Sequence, residues 1–213
     1  MWEEADTDDR TSVSPPGGVR QERKRQTRRA LLAAAREVLG RRGLSGLTTR
    51  EVAAEAGVAA GTFFVHFPDV NSLVETLLDE HIEHAMADAC GTLPPSADVV
   101  GRLVHVAGRM YDSYDREPEL SRQYLAASLF PAGPGGVSAQ RVAEFREWVA
   151  AELARAEKAG EIPPVDVELA FTAYFSLYFA LLVRGLRGEI GRDGQVRMLD
   201  ETLRRILGAG GRS

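Results

Sequence analysis

Hydrophobic and polar positions along this chain follow mainly the period of an α-helix. Apolar residues recur three and four positions apart over long stretches, as in helices that bury one face. Glycine, proline and small polar residues interrupt the stretches. The pattern predicts an all-α protein with a first helix that closes at 41–43. Further helices are predicted over about 49–56, 60–67, 69–89, 97–114, 118–129, 138–159, 166–187 and 193–207.

The segment 48–67, TTREVAAEAGVAAGTFFVHF, has the most specific local pattern. An S/T-x-x-E capping box begins at Thr48 and predicts a helix start. Gly57 provides the left-handed position at which that short helix can end. Phe63 and Phe67, four residues apart, place the buried face of a second helix. Two short helices joined by a glycine turn indicate a helix-turn-helix, whose second helix enters the DNA major groove. A plain αα-hairpin is the alternative.

The same residues carry a resemblance to a known family. Segment 43–78 resembles the N-terminal domain of TetR-family (tetracycline-repressor-like) transcriptional regulators, and the resemblance extends back to about residue 23. It rests on Gly43, Thr48, Val52-Ala53, Ala56-Gly57-Val58, Gly61-Thr62, Phe67-Pro68 and Leu73, with Leu31, Leu32, Ala34, Ala35 and Leu39 in the first helix. It implies an N-terminal helix-turn-helix domain of three helices. A long helix would join this domain to a C-terminal helical bundle used for dimerisation and ligand binding.

The expected domains are a flexible acidic tail at 1–19, a DNA-binding domain at 20–68, and a ligand-binding and dimerisation domain at 69–213. The net charge of −5 is distributed unevenly over them. Residues 20–50 carry ten basic side chains against two acidic ones, whereas residues 1–19 and 51–213 are both acidic. This basic excess lies where phosphate neutralisation requires it. A solvated basic helix face is the alternative interpretation.

Two groups of residues are predicted to contact double-stranded DNA. The basic arm supplies most of the attraction, and some of its side chains are expected in a flanking minor groove. Its residues are Arg23, Lys24, Arg25, Arg28 and Arg29. The helix-turn-helix contributes Thr48, Thr49 and Arg50 toward phosphates, and Ala60, Gly61, Thr62, Phe64, Val65 and His66 toward bases.

The recognition helix departs from the family pattern at three positions. Ala59 replaces the usual capping Ser or Pro, Phe64 replaces a phosphate-binding tyrosine, and Val70 replaces a lysine. No Arg, Lys, Asn or Gln on the predicted reading face can make the bidentate contacts that discriminate bases best. Apolar contact of Phe64 and Val65 with thymine methyl groups is therefore the expected mode of reading.

The helix predicted over 166–187 is apolar nearly all round, so more than one side of it must be covered. The resemblance implies a homodimer formed largely by the last two helices, which agrees with this pattern. A monomer with a well-wrapped central helix is the alternative. A dimer would present two recognition helices to a palindromic operator.

Met110 and nine aromatic residues of the C-terminal half are a candidate pocket for a small hydrophobic or aromatic ligand. They are Met110, Tyr111, Tyr114, Tyr124, Phe145, Trp148, Phe171, Tyr174, Phe175 and Tyr178. For any single one of them, core packing is the competing interpretation. What favours a pocket is the resemblance, because family members bind an inducer in this domain and then lose affinity for DNA. His105 and Arg109 are further candidates for a polar ligand group, or surface residues.

Other chemistry finds little support in the sequence. Cys90 is the only cysteine, so neither an intramolecular disulfide nor a CxxC metal site is expected. His81 and His84 lack a fixed third ligand, and neither metal nor cofactor is predicted. Catalytic fingerprints such as G-x-S-x-G or a P-loop do not occur.

The expected compartment is the cytoplasm, without a membrane span. The longest charge-free apolar run, 169–183, is shorter than the ~20 residues that a span requires. The expected function is a DNA-binding, ligand-responsive transcriptional repressor and not an enzyme. The alternative is a helical ligand-binding or interaction protein that has lost specific DNA binding.

Overall fold

A computed structural model describes residues 16–118, 121–122 and 137–208 of the chain. Every regular element within these ranges is helical, which confirms the all-α fold class. The chain divides into two compact units, Met1–Val70 and Asn71–Ser213. Most of the predicted tail, the predicted helix beyond residue 122 and the loop at 131–136 lie outside the described residues.

The first unit contains three α-helices and one 3-10 turn. They are α1 (Pro16–Arg42), the turn Leu44–Gly46, α2 (Thr49–Glu55) and α3 (Ala60–His66). Helix α1 packs against α2, and α2 packs against α3. The apolar stripe predicted for the first helix is buried, and residues of α2 and α3 pack over it. The buried residues are Leu31, Leu32, Ala34, Ala35, Val38, Leu39, Val52, Ala53, Phe63 and Phe67.

Glycine ends α1 as the sequence predicts. Gly43 has a φ of 64°, in the left-handed region, and its N–H donates to the Leu39 carbonyl over 2.9 Å. Arg41 and Arg42 occupy the last turn, where cations favour the negative end of the helix dipole. The chain therefore turns sharply before α2 begins.

The second unit contains five described helices that follow the predicted bounds closely. They are α4 (Val70–Gly91, which begins at the last residue of the first unit), α5 (Val99–Arg116), α6 (Val137–Ala159), α7 (Val167–Leu186) and α8 (Arg192–Ile206). Aspartates set two of the starts. The Asp98 carboxylate accepts from the Gly101 N–H over 2.7 Å, and the Asp166 carboxylate accepts from the Leu169 N–H over 3.1 Å.

Helix α5 is central to the second unit and packs against α6, α7 and α8, while α7 also packs against α6 and α8. Its apolar face carries the large buried side chains Leu103 and Tyr111. Leu153 of α6 and Tyr174 of α7 lie in the same core. This arrangement leaves the aromatic residues of α6 and α7 on one side of the bundle.

Helix α7 buries one face and exposes apolar residues on another. Tyr174 and Leu181 are almost fully buried, whereas Leu169 is 70% exposed. By length and composition alone, α7 could cross a membrane, with a mean hydropathy of 1.6 over its best 18 residues, of which 33% are buried. One such helix is weak evidence for a span, because the core helix of a soluble protein can have the same length and composition.

Candidate nucleic-acid interface and ligand cavity

A side-chain cap positions the start of α2. The Thr48 hydroxyl accepts a hydrogen bond from the Glu51 N–H over 3.2 Å, which is one half of the predicted capping box. The Glu51 carboxylate instead lies 2.8 Å from Nη1 of Arg42. Glu51 therefore ties α2 to the end of α1, and Thr48 alone caps the helix with its side chain.

The turn between α2 and α3 is a Schellman motif. Gly57 has a φ of 67°, and its N–H donates to the Ala54 carbonyl over 3.1 Å. The Val58 N–H donates to the Ala53 carbonyl over 3.0 Å. These two bonds close α2 and direct the chain into α3. Ala59, at the N-cap position of α3, provides no side-chain hydrogen bond, as its sequence predicts.

Helix α3 divides into an apolar inner face and an apolar outer face. Phe63 and Phe67 are buried, with ring centroids 5.7 Å apart. Phe64 and Val65 point outward and are 59% and 65% exposed. Burial of Phe63 and Phe67 fixes the rotation of α3 about its axis. Phe64 and Val65 therefore face outward because of helix packing, whichever rotamers their side chains adopt.

The remaining predicted DNA contacts are all near the molecular surface. The exposed ones are Arg23, Lys24, Arg25, Arg29, Thr48, Arg50, Ala60 and Gly61, and the half-buried ones are Arg28, Thr49, Thr62 and His66. All belong to the first unit.

Arg28 has a structural role that the sequence does not indicate. Its Nη1 donates to the main-chain carbonyl of His66 over 2.9 Å, and its Cζ lies 4.2 Å from the centroid of the Phe67 ring. The guanidinium thus bonds the C-terminal end of α3, where the helix dipole is negative, and stacks on the aromatic residue that follows. Arg28 connects α1 to the recognition helix.

A cationic cleft of about 340 Å³ lies beside this contact. It is lined by Gln21, Lys24, Arg25, Arg28, Val65 and His66. Burial, and after it the positive charges of Lys24 and Arg28, lower the pKa of His66. Nδ1 of the imidazole is buried, and no group among the described residues forms a hydrogen bond with it. The positive potential expected for a phosphate-binding surface is therefore adjacent to the exposed face of α3.

The basic segment itself is helical. Residues 20–29 form the first turns of α1, and the helix begins at Pro16. An α-helix is about 10–12 Å wide with its side chains, whereas the minor groove of B-DNA is about 6 Å wide. Insertion of this segment into a minor groove would therefore require the helix to unwind.

The second unit contains a cavity of about 570 Å³ between α4, α5, α6 and α7. Its walls are mainly apolar and aromatic. Lining side chains are Ile82, Glu83, Met86, Ala87, Cys90, Met110, Tyr114, Arg141, Val142, Glu144, Phe145, Trp148, Phe175, Ser176, Tyr178, Phe179 and Leu182. This volume lies within the range of small-molecule sites. Burial raises the pKa of the Cys90 thiol, which disfavours the reactive thiolate.

The rings of this cavity form a connected stack. Phe145 and Trp148 are nearly parallel, with centroids 6.0 Å apart and planes 7° apart. Phe145 also lies 6.0 Å from Tyr178 and 6.3 Å from Phe175. Because the rings contact one another, their faces form a continuous wall against which a flat ligand can pack.

Six of the ten predicted pocket residues line the cavity. They are Met110, Tyr114, Phe145, Trp148, Phe175 and Tyr178. Tyr111, Phe171 and Tyr174 are core residues outside the lining, and Tyr124 lies outside the described residues.

Two of the core tyrosines use their hydroxyls in hydrogen bonds to main-chain carbonyls. Tyr111 donates to the Tyr178 carbonyl over 3.1 Å, and Tyr174 donates to the Leu103 carbonyl over 2.9 Å. Burial raises the pKa of both phenols above the usual value. Their predicted ligand role is replaced by a structural one, because main-chain carbonyls satisfy both hydroxyls.

A charged cluster at the cavity wall joins α4 to α6. Arg141 pairs with Asp79, with Glu83 at 3.0 Å and with Glu144 at 2.7 Å. The hydrogen bond to Asp79, and after it the carboxylate of Glu144, raise the pKa of the Arg141 guanidinium. Arg141 is the most buried member, with 19% of its side chain exposed, against 61% for Glu83 and 46% for Glu144.

Residues 31–77 match the family model of bacterial regulatory proteins of the tetR family. The match extends from the middle of α1 into α4 and includes the whole helix-turn-helix. The chain carries a TetR-family domain.

Solved structures share the fold beyond this TetR domain. A proposed TetR-family transcriptional regulator from Rhodococcus sp. is 24% identical, with a TM-score of 0.67, and the alignment covers 86% of this chain and 99% of that one. RolR complexed with resorcinol is 17% identical, with a TM-score of 0.67 and coverage of 89% and 91%. The multidrug binding protein EbrR complexed with imidazole is 25% identical, with a TM-score of 0.61 and coverage of 84% and 94%.

Sequence reasoning missed the charged and C-terminal parts of the cavity. Phe179 and Leu182 lie one helical turn beyond Phe175 and Tyr178, so the period of α7 contained a signal for them. Glu83 and Arg141 had none, because they are 58 residues apart and resemble solvated helix positions.

The other polar candidates contact neighbouring side chains, at the surface for His105 and Arg109 and in a partly buried position for His81. His105 Nε2 lies 3.0 Å from the Thr92 hydroxyl, and Arg109 pairs with Asp88. His81 Nε2 lies 3.0 Å from the Ser113 hydroxyl. Neither His105 nor Arg109 lines the cavity. Nothing in the described site points to catalysis.

Proposed function

We propose that this chain is a ligand-responsive transcriptional repressor that binds a palindromic operator as a homodimer in the cytoplasm. The observation that carries the proposal is the exposure of Phe64 and Val65 on α3 beside the cations of the adjacent cleft. Exposed apolar residues next to Lys24 and Arg25 suit a surface that contacts both base edges and phosphates.

Base reading would rest on apolar contact. Phe64 and Val65 suit the thymine C5-methyl group, which lies in the major groove, and Gly61 permits a close approach of the backbone. Thr62 is half-buried and His66 holds its Nδ1 inside, so hydrogen-bonded reading has few donors here. We therefore expect an operator rich in A·T pairs at the positions that α3 faces.

Affinity would come mainly from the helical basic segment of α1. Arg23, Lys24 and Arg25 are exposed along it, and each phosphate they neutralise contributes about −0.9 to the slope of log K against log salt. Arg28 would position the recognition helix instead, because its guanidinium bonds the end of α3.

Exposed apolar residues on the last two helices support a homodimer. Leu169 of α7 is 70% exposed, and Met198 and Ile206 of α8 are 38% and 48% exposed. A second copy of the same surface would cover them with closed twofold symmetry. Two recognition helices would then read half-sites about 34–36 Å apart, one helical turn of DNA. Leu169→Glu should convert the dimer into a monomer in sedimentation velocity.

The aromatic cavity would be the inducer site. Its wall of stacked rings suits a small hydrophobic or aromatic ligand, in keeping with the resorcinol and imidazole held by RolR and EbrR. Helix α4 contributes Ile82, Glu83 and Met86 to the cavity and follows α3 in the chain after only three residues. A ligand that favours one position of α4 would thereby shift the equilibrium between DNA-binding states, by its differential affinity for them.

A gel-shift titration with the DNA upstream of its own gene tests the proposal. It is run at 50 and 200 mM salt, with unrelated DNA of equal length as competitor. We expect preference for the upstream DNA at both salts, and Phe64→Ala should reduce that preference while the salt dependence stays the same. Equal binding to both DNAs would contradict a specific regulator.

The apolar face of α3 also supports a second candidate function. In this case the chain would be a helical ligand-binding protein without specific DNA recognition. It is favoured by the scarcity of hydrogen-bonding side chains among the exposed residues of α3. Under this function the chain would bind ligand while all DNA sequences compete equally. The same titration therefore separates the two.

A further inference from the structure

We propose that the cavity selects aromatic ligands carrying a positive charge over neutral or anionic ones with the same rings. The inference deepens the proposed inducer site and rests on it. It starts from the charged side chains at the wall. Of those that line the cavity in the described part of the chain, Glu83 and Glu144 are acidic and Arg141 is basic. Asp79, which pairs with Arg141 from behind the lining, adds a third carboxylate.

Three carboxylates around one guanidinium leave an excess of two negative charges at this wall. The guanidinium of Arg141 is not readily available to an anionic ligand, because it already donates hydrogen bonds to all three carboxylates. An anionic ligand would have to displace one of them and would meet repulsion from the others. A cation meets no such competition and gains attraction from the excess charge.

Exposure within the cluster strengthens this argument. Arg141 is 19% exposed, whereas the carboxylate-bearing side chains of Glu83 and Glu144 are 61% and 46% exposed. The two acidic side chains are therefore more accessible to a ligand than the side chain of Arg141. Complementarity of this kind favours a ligand whose donors point at the α4–α6 wall.

The aromatic wall favours the same charge. Phe145 lies four residues after Arg141 on α6, and its ring contacts those of Trp148, Phe175 and Tyr178. Aromatic faces carry negative partial charge and attract ammonium or guanidinium groups within about 6 Å of the ring centroid. A flat ring with a short ammonium side chain can stack on this wall and direct its charge at Glu144.

Isothermal titration calorimetry with three probes of one ring system tests the inference. The probes are 2-(2-naphthyl)ethylamine, which is cationic at pH 7.5, 2-(2-naphthyl)ethanol and 2-naphthylacetate. Full-length protein without DNA is used at 20 and 150 mM salt. We expect the amine to bind about tenfold more tightly than the alcohol at low salt, with a smaller ratio at 150 mM, and the carboxylate to bind most weakly.

Substitutions at the wall should change this order in opposite directions. Glu144→Gln should weaken amine binding about threefold to fivefold and leave alcohol binding unchanged, as expected for a partly exposed charge. Arg141→Gln should strengthen amine binding, because it removes the compensating cation. Glu147→Gln is the matched control, since it makes the same charge change on an exposed α6 position outside the lining.

Tighter binding of the alcohol or the carboxylate than of the amine, or no binding of the amine, would overturn the charge preference. So would equal losses in Glu144→Gln and Glu147→Gln, which would mark a general surface effect. Those results would leave the regulator itself standing, because its DNA preference is measured without any ligand. A gel shift without preference for the upstream DNA would contradict the proposed regulator but would not change the order of the three ligand affinities measured by calorimetry.

Discussion

The basic segment of α1 supports the most quantitative prediction about DNA binding. Lys24 and Arg25 are exposed and line the cleft beside Val65 and His66, so both face the same surface as the recognition helix. Arg28 lines that cleft too, but its bond to the His66 carbonyl gives it a positioning role. The double variant Lys24→Ala and Arg25→Ala therefore removes phosphate attraction without breaking a contact that holds α3.

The expected effect follows from counterion release. Removing two phosphate-neutralising cations from each protomer should reduce the slope of log K against log salt by about 1.8 in magnitude per protomer, at about 0.9 per phosphate, and therefore by about 3.6 for a dimer bound to its operator. When the salt concentration rises from 50 to 200 mM, the unmodified protein should therefore lose roughly twelvefold more affinity than the variant, counted per bound protomer. The preference for specific over unrelated DNA should hardly change, because phosphate contacts carry no sequence information.

Fluorescence anisotropy with labelled upstream DNA at four salt concentrations measures the slope directly. Arg116→Ala with Lys158→Ala is the matched control, because it removes the same charge from exposed positions of the second unit. The control should keep the slope of the unmodified protein. An unchanged slope in the Lys24 and Arg25 variant would refute the assignment of phosphate binding to α1.

Four further predictions concern the stability of the first unit, followed by far-UV circular dichroism during urea unfolding. Arg28→Ala should cost about 1–2 kcal/mol through loss of the His66 carbonyl bond and the ring contact, whereas Arg29→Ala should be nearly neutral. Thr48→Ala should cost about 1 kcal/mol and Thr48→Ser much less, and equal losses would contradict a capping role. Gly57→Ala should cost about 1–2 kcal/mol because its φ is 67°, with Gly57→Asn intermediate. Burial lowers the pKa of His66 in the folded state, so the unfolded chain binds a proton at this residue at a higher pH than the folded chain does. The free energy of unfolding should therefore fall as the pH drops below about 6.5, and this pH dependence should weaken in His66→Gln.

Local chemistry made the helices of this protein predictable from its sequence. The hydroxyl of Thr48, the carboxylates of Asp98 and Asp166, and the left-handed turn at Gly57 each act within a few residues of their own position. Such contacts form with any packing of the rest of the chain, so a linear pattern is sufficient to place them. The spacing of Phe63 and Phe67 likewise fixed which side of α3 would face outward.

Only the tertiary structure decided what several individual side chains do. Arg28 was expected to contact a DNA phosphate because it lies in a basic run. Its hydrogen bond to the carbonyl of His66, 38 residues away, depends instead on how α1 packs within its unit. Tyr111 and Tyr174 were expected in the cavity, yet the rotation of α5 against α7 turns both into the core. Arg141 and Glu83 meet at the cavity wall only because α6 lies beside α4. Helical periodicity specifies which residues share a face, whereas the neighbour that this face meets is set by long-range packing, which no short segment encodes.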